Sequence, residues 1–119
     1  DSNRCNYGDF LSIPSIVTMH EEGATPDGVC DLAGNVYEWT RDWFRPYTGP
    51  GSTSQNGVPE PAPGEIPRRI VRGGSWQSPP NELRCSFRKG LFPETQLATV
   101  GFRCVVPADA AQITPASGK

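Results

Sequence analysis

The residues best suited to chemistry surround a short turn. Asp31 and Glu38 lie on either side of Gly34-Asn35, a pair that tolerates left-handed backbone angles. Calcium takes roughly six to eight oxygen ligands, and a tight turn can direct several backbone carbonyls toward one point. The residue types alone favour a structural explanation, in which Asp31 caps the turn, Glu38 is a solvated strand carboxylate and Asn35 serves only the turn.

Composition predicts a small domain with much irregular structure. The 119 residues suffice for one domain with a modest core, and they include 13 Gly and 13 Pro. The hydrophobic share of 35% is below the usual share in globular chains. A chain of this kind commonly draws stability from disulfides, a metal or a partner. We therefore expect a mainly β fold with extensive loops, of the α+β class.

The charge balance and the apolar pattern argue against two kinds of interaction. The formal net charge is −2, which gives no basic footprint for nucleic acid. No apolar run approaches the roughly 20 residues that a membrane-spanning helix needs. We therefore expect neither a nucleic-acid partner nor a membrane span.

Alternating apolar and polar residues predict four short strands. The strands cover residues 36–40, 70–76, 83–88 and 100–106. In the first, Tyr37 and Trp39 share one face; in the third, Leu83, Cys85 and Phe87 point inward. Any helix is expected to be short and to lie within residues 77–84.

The other segments are expected to be irregular. Residues 46–67 are rich in Pro and Gly and predict a mobile loop, stiffened locally by its prolines. Residues 107–119 are rich in Ala, Thr, Ser and Gly and predict a flexible tail. Residues 1–106 then form the predicted module.

The cysteines favour an oxidising compartment. The chain has four of them, Cys5, Cys30, Cys85 and Cys104, and no pair has the spacing of a zinc site beside the single His20. An even number in a small, loop-rich chain favours disulfides and an extracellular or periplasmic location. Buried free thiols in a cytosolic protein are the alternative.

Three separated motifs occur in one order. They are G-V-C-D-L-A-G-N-V-Y-E-W-T at residues 28–40, V-R-G-G-S-W at 71–76 and V-G-F-R at 100–103. Together they resemble the C-terminal half of the formylglycine-generating-enzyme (FGE-sulfatase) family, over roughly residues 5–106. The resemblance implies the family's variant of the C-type-lectin fold, incomplete or cut down at the N-terminus. Either an N-terminal segment or partner chain completes the family domain, or the module is a cut-down form of it.

The resemblance assigns a calcium site to the opening turn. It implies side-chain ligands at Asp31 and Glu38 and backbone carbonyl ligands at Gly34 and Val36. Asn6 falls where the family has a second calcium site, but the loop that supplies the remaining ligands is shortened in this chain. Calcium is the cofactor that the sequence predicts.

The resemblance does not carry over the family's catalysis. Members that make formylglycine use a pair of cysteines, reported to bind copper, soon after the R-G-G-S element, and the first of these positions falls on Ser78. A hydroxyl cannot replace a soft thiolate at a Cu(I) site. One histidine cannot build the iron site of other branches. We therefore expect a non-catalytic module, and the alternative is part of an FGE-like metal-dependent oxidoreductase acting on a Cys-containing peptide.

The same resemblance implies a binding face for a protein or a small ligand. Variable proteins made by diversity-generating retroelements share this fold and vary their residues on that face. The face would include Tyr37, Trp76, Gln77, Ser78, Asn81, Arg84 and Arg88. Aromatic core packing and solvent-side or ion-paired arginines are the alternatives for these residues, and Arg103 is a further candidate to pair with Glu38.

The resemblance also bears on cysteine pairing. Cys5 and Cys30 would lie near each other beside the calcium turn, which favours a Cys5–Cys30 disulfide. Cys85 and Cys104 would lie on the last two strands, where they pair either with each other or with cysteines of an N-terminal chain.

Overall fold

A four-stranded sheet forms the centre of the protein. The computed structural model describes residues 1–46 and 61–106. The strands are β1 (Tyr37–Trp43), β2 (Arg69–Arg72), β3 (Lys89–Leu91) and β4 (Val100–Gly101), in the order β3-β2-β1-β4. β1 pairs antiparallel with β2 and parallel with β4, and β2 pairs antiparallel with β3. In the described residues, the helices are two 3₁₀ turns, Glu21–Gly23 and Pro80–Glu82.

β1 keeps the two faces that its alternation predicts. Trp39 pairs with Val71, and Glu38 pairs with Arg72, so residues of odd number share the face of Val71. Tyr37 is 3% exposed and Val71 is fully buried on that face. Tyr37 and Val71 are thus buried on one face, and Glu38 lies on the opposite face, to which Ile70, 4% exposed, also points.

β1 is longer than predicted. The sequence places residues 42–44 in a loop, but the strand continues through Trp43, which pairs with Arg69 after an irregularity in register. The Arg69 guanidinium lies 3.5 Å from the centroid of the Trp43 ring. This stacking of a cation on an aromatic face stabilises the extra pairing.

The buried apolar core of the described residues is small. It consists of Tyr37, Ile70, Val71 and Trp76. Four buried polar residues, Asn6, Asn35, Ser75 and Ser78, lie among or beside them. Because few apolar side chains are buried, hydrogen bonds determine much of the loop structure.

The strand predicted at residues 83–88 is wrong. Residues 83–86 form bends and a turn, closed by the Phe87 N–H donating to the Arg84 carbonyl at 2.8 Å. Arg72 Nη1 donates to the carbonyls of Cys85 (2.9 Å) and Phe87 (3.3 Å), and so satisfies backbone groups that a strand would pair. Cys85 is consequently exposed instead of pointing inward. The predicted short helix within 77–84 is present as Pro80–Glu82.

The last predicted strand is shorter than expected. The ladder contains only Val100 and Gly101, which pair with Tyr37 and Glu38. Phe102 is 75% exposed, and residues 102–106 are not part of the sheet.

Two predicted segments lie largely or wholly outside the described residues. These are the loop at 46–67, of which 47–60 is not described, and the tail at 107–119. Within the described residues, the second part of that loop, 61–67, contains no strand or helix. The helices in the described ranges are too short to cross a bilayer.

The turn between Asp31 and Glu38 is closely packed against the chain near Asn6. Gly34 and Asn35 have φ angles of 79° and 61°, the left-handed angles that the sequence predicts. A Cβ added to Gly34 would lie 2.3 Å from the Asn6 carbonyl oxygen. Gly34 is therefore required both for its backbone angle and for space.

We expect Gly34→Ala to destabilise the fold by about 3 kcal/mol or more, because strain at positive φ is joined by a backbone clash. Gly28→Ala is the matched control. Gly28 has φ of 80°, yet an added Cβ would meet no atom within 4 Å. We expect this control to cost about 1 kcal/mol. Urea unfolding measures both variants, and equal losses would contradict the close approach of Gly34 to Asn6.

Candidate functional site

The Glu38 carboxylate is held by Arg103. Arg103 Nε donates to both carboxylate oxygens, at 2.8 and 2.6 Å, and Nη2 donates to Oε1. Nη2 also donates to the Asp31 carbonyl at 3.1 Å. The hydrogen bond with Glu38 raises the pKa of Arg103, so this guanidinium stays charged. Arg103 is thus the ion-pair partner that the sequence offered as an alternative to a role in ligand binding, and it joins β1 to the start of the turn.

Asp31 differs from Glu38 in having an unsatisfied oxygen. Its Oδ2 atom is buried and has no hydrogen-bond partner in the part of the chain that the structure describes. Asp31 and Glu38 both line a cavity of about 430 Å³, whose wall also includes Val17, Val29 and Phe102. A buried carboxylate oxygen without a partner is costly unless a donor or a cation reaches it. This atom is the strongest indication of a cation at the turn.

The donor set fits calcium, with carbonyls as most of its ligands. Among the residues that the structure describes, no group of three or more His, Cys, Asp or Glu side chains could hold a metal. Two carboxylates, Asp31 and Glu38, line one cavity together with Val36, whereas Gly34 is not among the residues that line it. Calcium accepts backbone carbonyls as well as carboxylates.

Asn6 has a positional role in the turn. It is 2% exposed, its carbonyl accepts the Asn35 N–H at 2.8 Å, and its Nδ2 donates to the Ile13 carbonyl at 2.9 Å. Its Oδ1 is buried without a partner. Asn6 therefore packs the N-terminal loop against the turn, and its role as a ligand of a second calcium site stays a prediction.

A second polar cluster surrounds Ser78. The Ser78 hydroxyl lies 3.0 Å from the Tyr37 hydroxyl, 2.9 Å from Glu82 Oε2 and 3.2 Å from Ser75 Oγ. It also accepts the Ser75 N–H at 3.0 Å, and the Tyr37 hydroxyl donates to Glu82 Oε2. We call Tyr37, Ser75, Ser78 and Glu82 the Ser78 cluster. It holds the 3₁₀ turn that contains Glu82 against β1.

The Ser78 cluster shifts the pKa values of its members in opposite directions. Burial, followed by the hydrogen bond to Glu82, raises the pKa of Tyr37 to about 12. The hydrogen bond from Tyr37, with smaller contributions from Ser78 and Lys89, lowers the pKa of Glu82. The Lys89 Nζ atom lies 5.1 Å from the centroid of the Tyr37 ring. At neutral pH the cluster therefore contains a neutral phenol and an ionised carboxylate.

The predicted ligand residues separate into buried and accessible groups. Tyr37, Trp76 and Ser78 are buried and present almost no surface. The others are Gln77, Asn81 and Arg84, which are exposed, and Arg88, which is partly exposed and stacks over the Phe44 ring at 5.2 Å. The accessible residues remain the predicted ligand face, and the buried ones form its support.

Sequence reasoning did not assign Ser75 to the site. Its buried hydroxyl accepts the Gln77 N–H at 3.3 Å, and its own N–H donates to Ser78. The Ser-x-x-Ser spacing is a usable signal, because short hydroxyl side chains favour hydrogen bonds with nearby backbone groups.

No disulfide forms among the four cysteines of the structure, in contrast to the pairings that the sequence predicted. The Cys5 and Cys30 thiols are partly buried and donate to local carbonyls, those of Asp1 and Gly28. Burial raises the pKa of the Cys5 thiol, which lowers its reactivity. Cys85 and Cys104 are exposed and do not lie on neighbouring strands, because residues 83–88 do not form one.

Comparison with known proteins gives the family. The model of the sulfatase-modifying factor enzyme 1-like domain, FGE-sulfatase, matches residues 12–108. The chain belongs to the FGE-sulfatase family. The fold is the C-type-lectin-like variant expected from the three motifs.

The similar FGE-sulfatase relatives are much longer than this chain. The formylglycine-generating enzyme of Streptomyces coelicolor is 37% identical over 69% of this chain, which covers 26% of that enzyme. The hercynine oxygenase of Mycobacterium tuberculosis is 33% identical over 82% of the chain, and 23% of that enzyme is covered. A Chlamydia caviae protein named serine/threonine-protein kinase pkn1 is 40% identical over 68% of the chain, which spans only 13% of it.

A solved structure shares the fold. Treponema denticola variable protein 1 matches with a TM-score of 0.60 and 26% identity. The match covers 85% of this chain and 35% of that protein. The family fold therefore occurs both in named enzymes and in a protein named for its variability.

We expect Tyr37→Phe to cost about 1–3 kcal/mol, because it removes the hydroxyl that donates to the partly buried Glu82 carboxylate. The loss should depend on pH. Above the unfolded value of 4.5, the lowered pKa of Glu82 stabilises the fold, and this contribution disappears as pH falls below 4.5. The raised pKa of Tyr37 contributes stability below pH 10, which disappears as pH rises toward about 12.

Unfolding by urea from pH 3 to pH 11 measures this dependence, with Tyr7→Phe as the control substitution. In the Tyr37→Phe variant, the loss of unfolding free energy at alkaline pH that is attributable to Tyr37 should be absent. The loss at acid pH should be smaller than in the wild type. Parallel pH profiles for the wild type and Tyr37→Phe would contradict the role of the Ser78 cluster.

Proposed function

We propose that this chain is a non-catalytic, calcium-stabilised binding module that recognises a protein or a small ligand. The main support for the proposal is the position of Ser78 and the burial of its hydroxyl. It stands where the copper-dependent members have the first cysteine of their pair, and its hydroxyl is buried at 3% exposure within the Ser78 cluster. A saturated hydroxyl is suited to supporting a loop instead of holding a metal.

The binding face consists of the accessible residues around the cluster. The 3₁₀ turn Pro80–Glu82 is fixed through Glu82, and it presents Asn81 to solvent beside Gln77 and Arg84. Arg84 Nε donates to the Asn81 carbonyl at 2.9 Å, which limits the movement of both residues. Side chains held in one arrangement lose less entropy when they bind a partner. The likeness to Treponema denticola variable protein 1 supports a binding role for this fold.

Calcium has a stabilising role in the proposal. The ion would be held by Asp31 and Glu38 with the carbonyls of Gly34 and Val36. The support is the buried Oδ2 of Asp31, which receives no hydrogen bond from any residue within 1–46 and 61–106. Calcium at this position would neutralise charge at the turn and tie residues 31–38 together.

A further segment or chain is the proposed partner at the N-terminal loop. Five large apolar residues between positions 10 and 19 are more than half exposed, namely Phe10, Ile13, Ile16, Val17 and Met19. So many exposed apolar side chains in one loop favour contact with another polypeptide. The chain spans 26% or less of the relatives described above, which leaves ample sequence in such proteins for a covering segment. An extracellular or periplasmic location is part of this proposal.

A second candidate function is part of an FGE-like metal-dependent oxidoreductase. The identity to the formylglycine-generating enzyme of Streptomyces coelicolor and to hercynine oxygenase of Mycobacterium tuberculosis favours it. In that case, another segment or chain would supply the remaining active-site groups, and the substrate would be a Cys-containing peptide.

Calcium should raise the melting temperature of the wild type, and a chelator should reverse the increase. At a calcium concentration about 100 times the dissociation constant, the stabilisation is about 2.7 kcal/mol. Asp31→Asn should lose most of this effect, because it removes the unsatisfied carboxylate. Asp27→Asn, in the neighbouring turn, is the control and should respond as the wild type does. A wild type whose melting is unaffected by calcium and by chelator would rule out calcium at the turn.

Selection of a random-peptide phage library on the immobilised protein tests the binding face. Clones enriched on the wild type should bind at least about tenfold more weakly to a Gln77→Ala/Asn81→Ala/Arg84→Ala variant, a loss of about 1.4 kcal/mol. The variant's own stability should change by less than about 0.5 kcal/mol per substitution. A Glu21→Ala/Glu22→Ala variant, altered on a distant exposed turn, is the control.

Two results would count against the proposal. If the enriched clones bind equally to the triple variant and to the Glu21→Ala/Glu22→Ala control, the predicted ligand face is contradicted. Oxygen uptake in the presence of a Cys-containing peptide and copper or iron would contradict the non-catalytic role and favour the oxidoreductase.

A further inference from the structure

Arg103 holds the same Glu38 carboxylate that the proposed calcium site uses. Its Nε contacts both carboxylate oxygens, and its Nη2 reaches Oε1 and the Asp31 carbonyl. One guanidinium therefore bridges the two residues that the family resemblance assigns to calcium. A divalent ion at the same carboxylate would meet a positive charge at close range.

Arg103 cannot avoid this repulsion by losing its proton and becoming neutral. The Glu38 hydrogen bond raises the pKa of a group that is already protonated at every ordinary pH. The repulsion can be relieved only by movement of the side chain. Arg103 follows the last residue of β4 by two positions, and its side chain is 32% exposed. It is therefore able to turn toward solvent without breaking the sheet.

Arg103 donates hydrogen bonds to the carboxylate of Glu38 but not to that of Asp31. Glu38 is fully engaged, whereas Asp31 receives a hydrogen bond only at its backbone carbonyl, and its Oδ2 is buried and unsatisfied. With Asp31 and Glu38 negative and Arg103 positive, one negative charge remains uncompensated at the turn. Arg103 thus replaces part of the charge of a calcium ion and leaves part of the site available.

We propose that Arg103 is an internal cation that competes with calcium for Glu38. It maintains the turn when calcium is absent, and its displacement from Glu38 sets how tightly calcium binds. The inference rests on the calcium site of the proposed function and adds the residue that controls its affinity.

Calorimetric titration with calcium chloride at fixed ionic strength compares the wild type with Arg103→Gln. We expect Arg103→Gln to bind calcium at least about tenfold more tightly, because it removes a positive charge and frees the Glu38 oxygens. Arg103→Lys keeps the charge and should remain near the wild-type affinity. Arg45→Gln is the matched control, since Arg45 also pairs with a glutamate through two nitrogens, at 2.9 and 2.8 Å from Glu65, but lies outside the turn. It should leave calcium affinity unchanged.

The outcomes separate this inference from the proposed function. Wild type and Arg103→Gln binding calcium equally would overturn the competition while leaving the calcium site intact. Binding to neither protein would overturn both. Should Arg103→Gln fail to fold, nitrogen NMR of the wild type decides the matter: the Arg103 Nε–H signal should shift and exchange faster with water when calcium saturates the protein. An unchanged signal at saturation would show that Arg103 stays on Glu38, and would also overturn the competition.

Discussion

The hydrogen bonds of Asn35 connect three distant segments to the start of the sheet. Its N–H donates to the Asn6 carbonyl and its carbonyl accepts the Trp76 N–H, each at 2.8 Å. Its side chain forms two further bonds with the backbone of Ser15, at 2.9 and 3.1 Å. With so few buried apolar side chains, these bonds position loops that a larger core would otherwise fix. Gly34 is required next to Asn35 because only a residue without Cβ fits against Asn6.

The Asn35 bonds join the turn at residues 31–38 to the loop that contains Trp76 and Ser78. The Trp76 N–H that Asn35 accepts belongs to the same loop as Ser78, and the Gly34 N–H donates to the Gly73 carbonyl at 2.8 Å, where that loop begins. A change that loosens the turn must therefore disturb the backbone on which the Ser78 cluster is built. Calcium bound at the turn would therefore influence binding through the stability of these connected loops.

The sequence predicted the parts of the fold that depend on local pattern. The left-handed turn and the buried face of β1 follow from glycine, asparagine and alternation. The strand at residues 83–88 was wrong because alternation cannot reveal that Arg72, distant in sequence, satisfies the carbonyls of Cys85 and Phe87. For Glu38, the sequence offered both a cation and an arginine as partners. Only the fold shows that Arg103 reaches Glu38 and Asp31 together.

The Ser78 cluster is arranged for rigidity at neutral pH. General acid–base catalysis works best when a group's pKa lies near the working pH. Here the effect is the opposite: burial, followed by the hydrogen bond with Glu82, raises the pKa of Tyr37 to about 12, and the hydrogen bond from Tyr37 lowers the pKa of Glu82. Neither group changes protonation near neutrality, and the hydroxyl of Ser78 is held between them. The hydrogen bonds that fix the loop around Ser78 therefore also keep Tyr37 and Glu82 from gaining or losing a proton near neutral pH. This arrangement suits a binding surface better than a reaction centre.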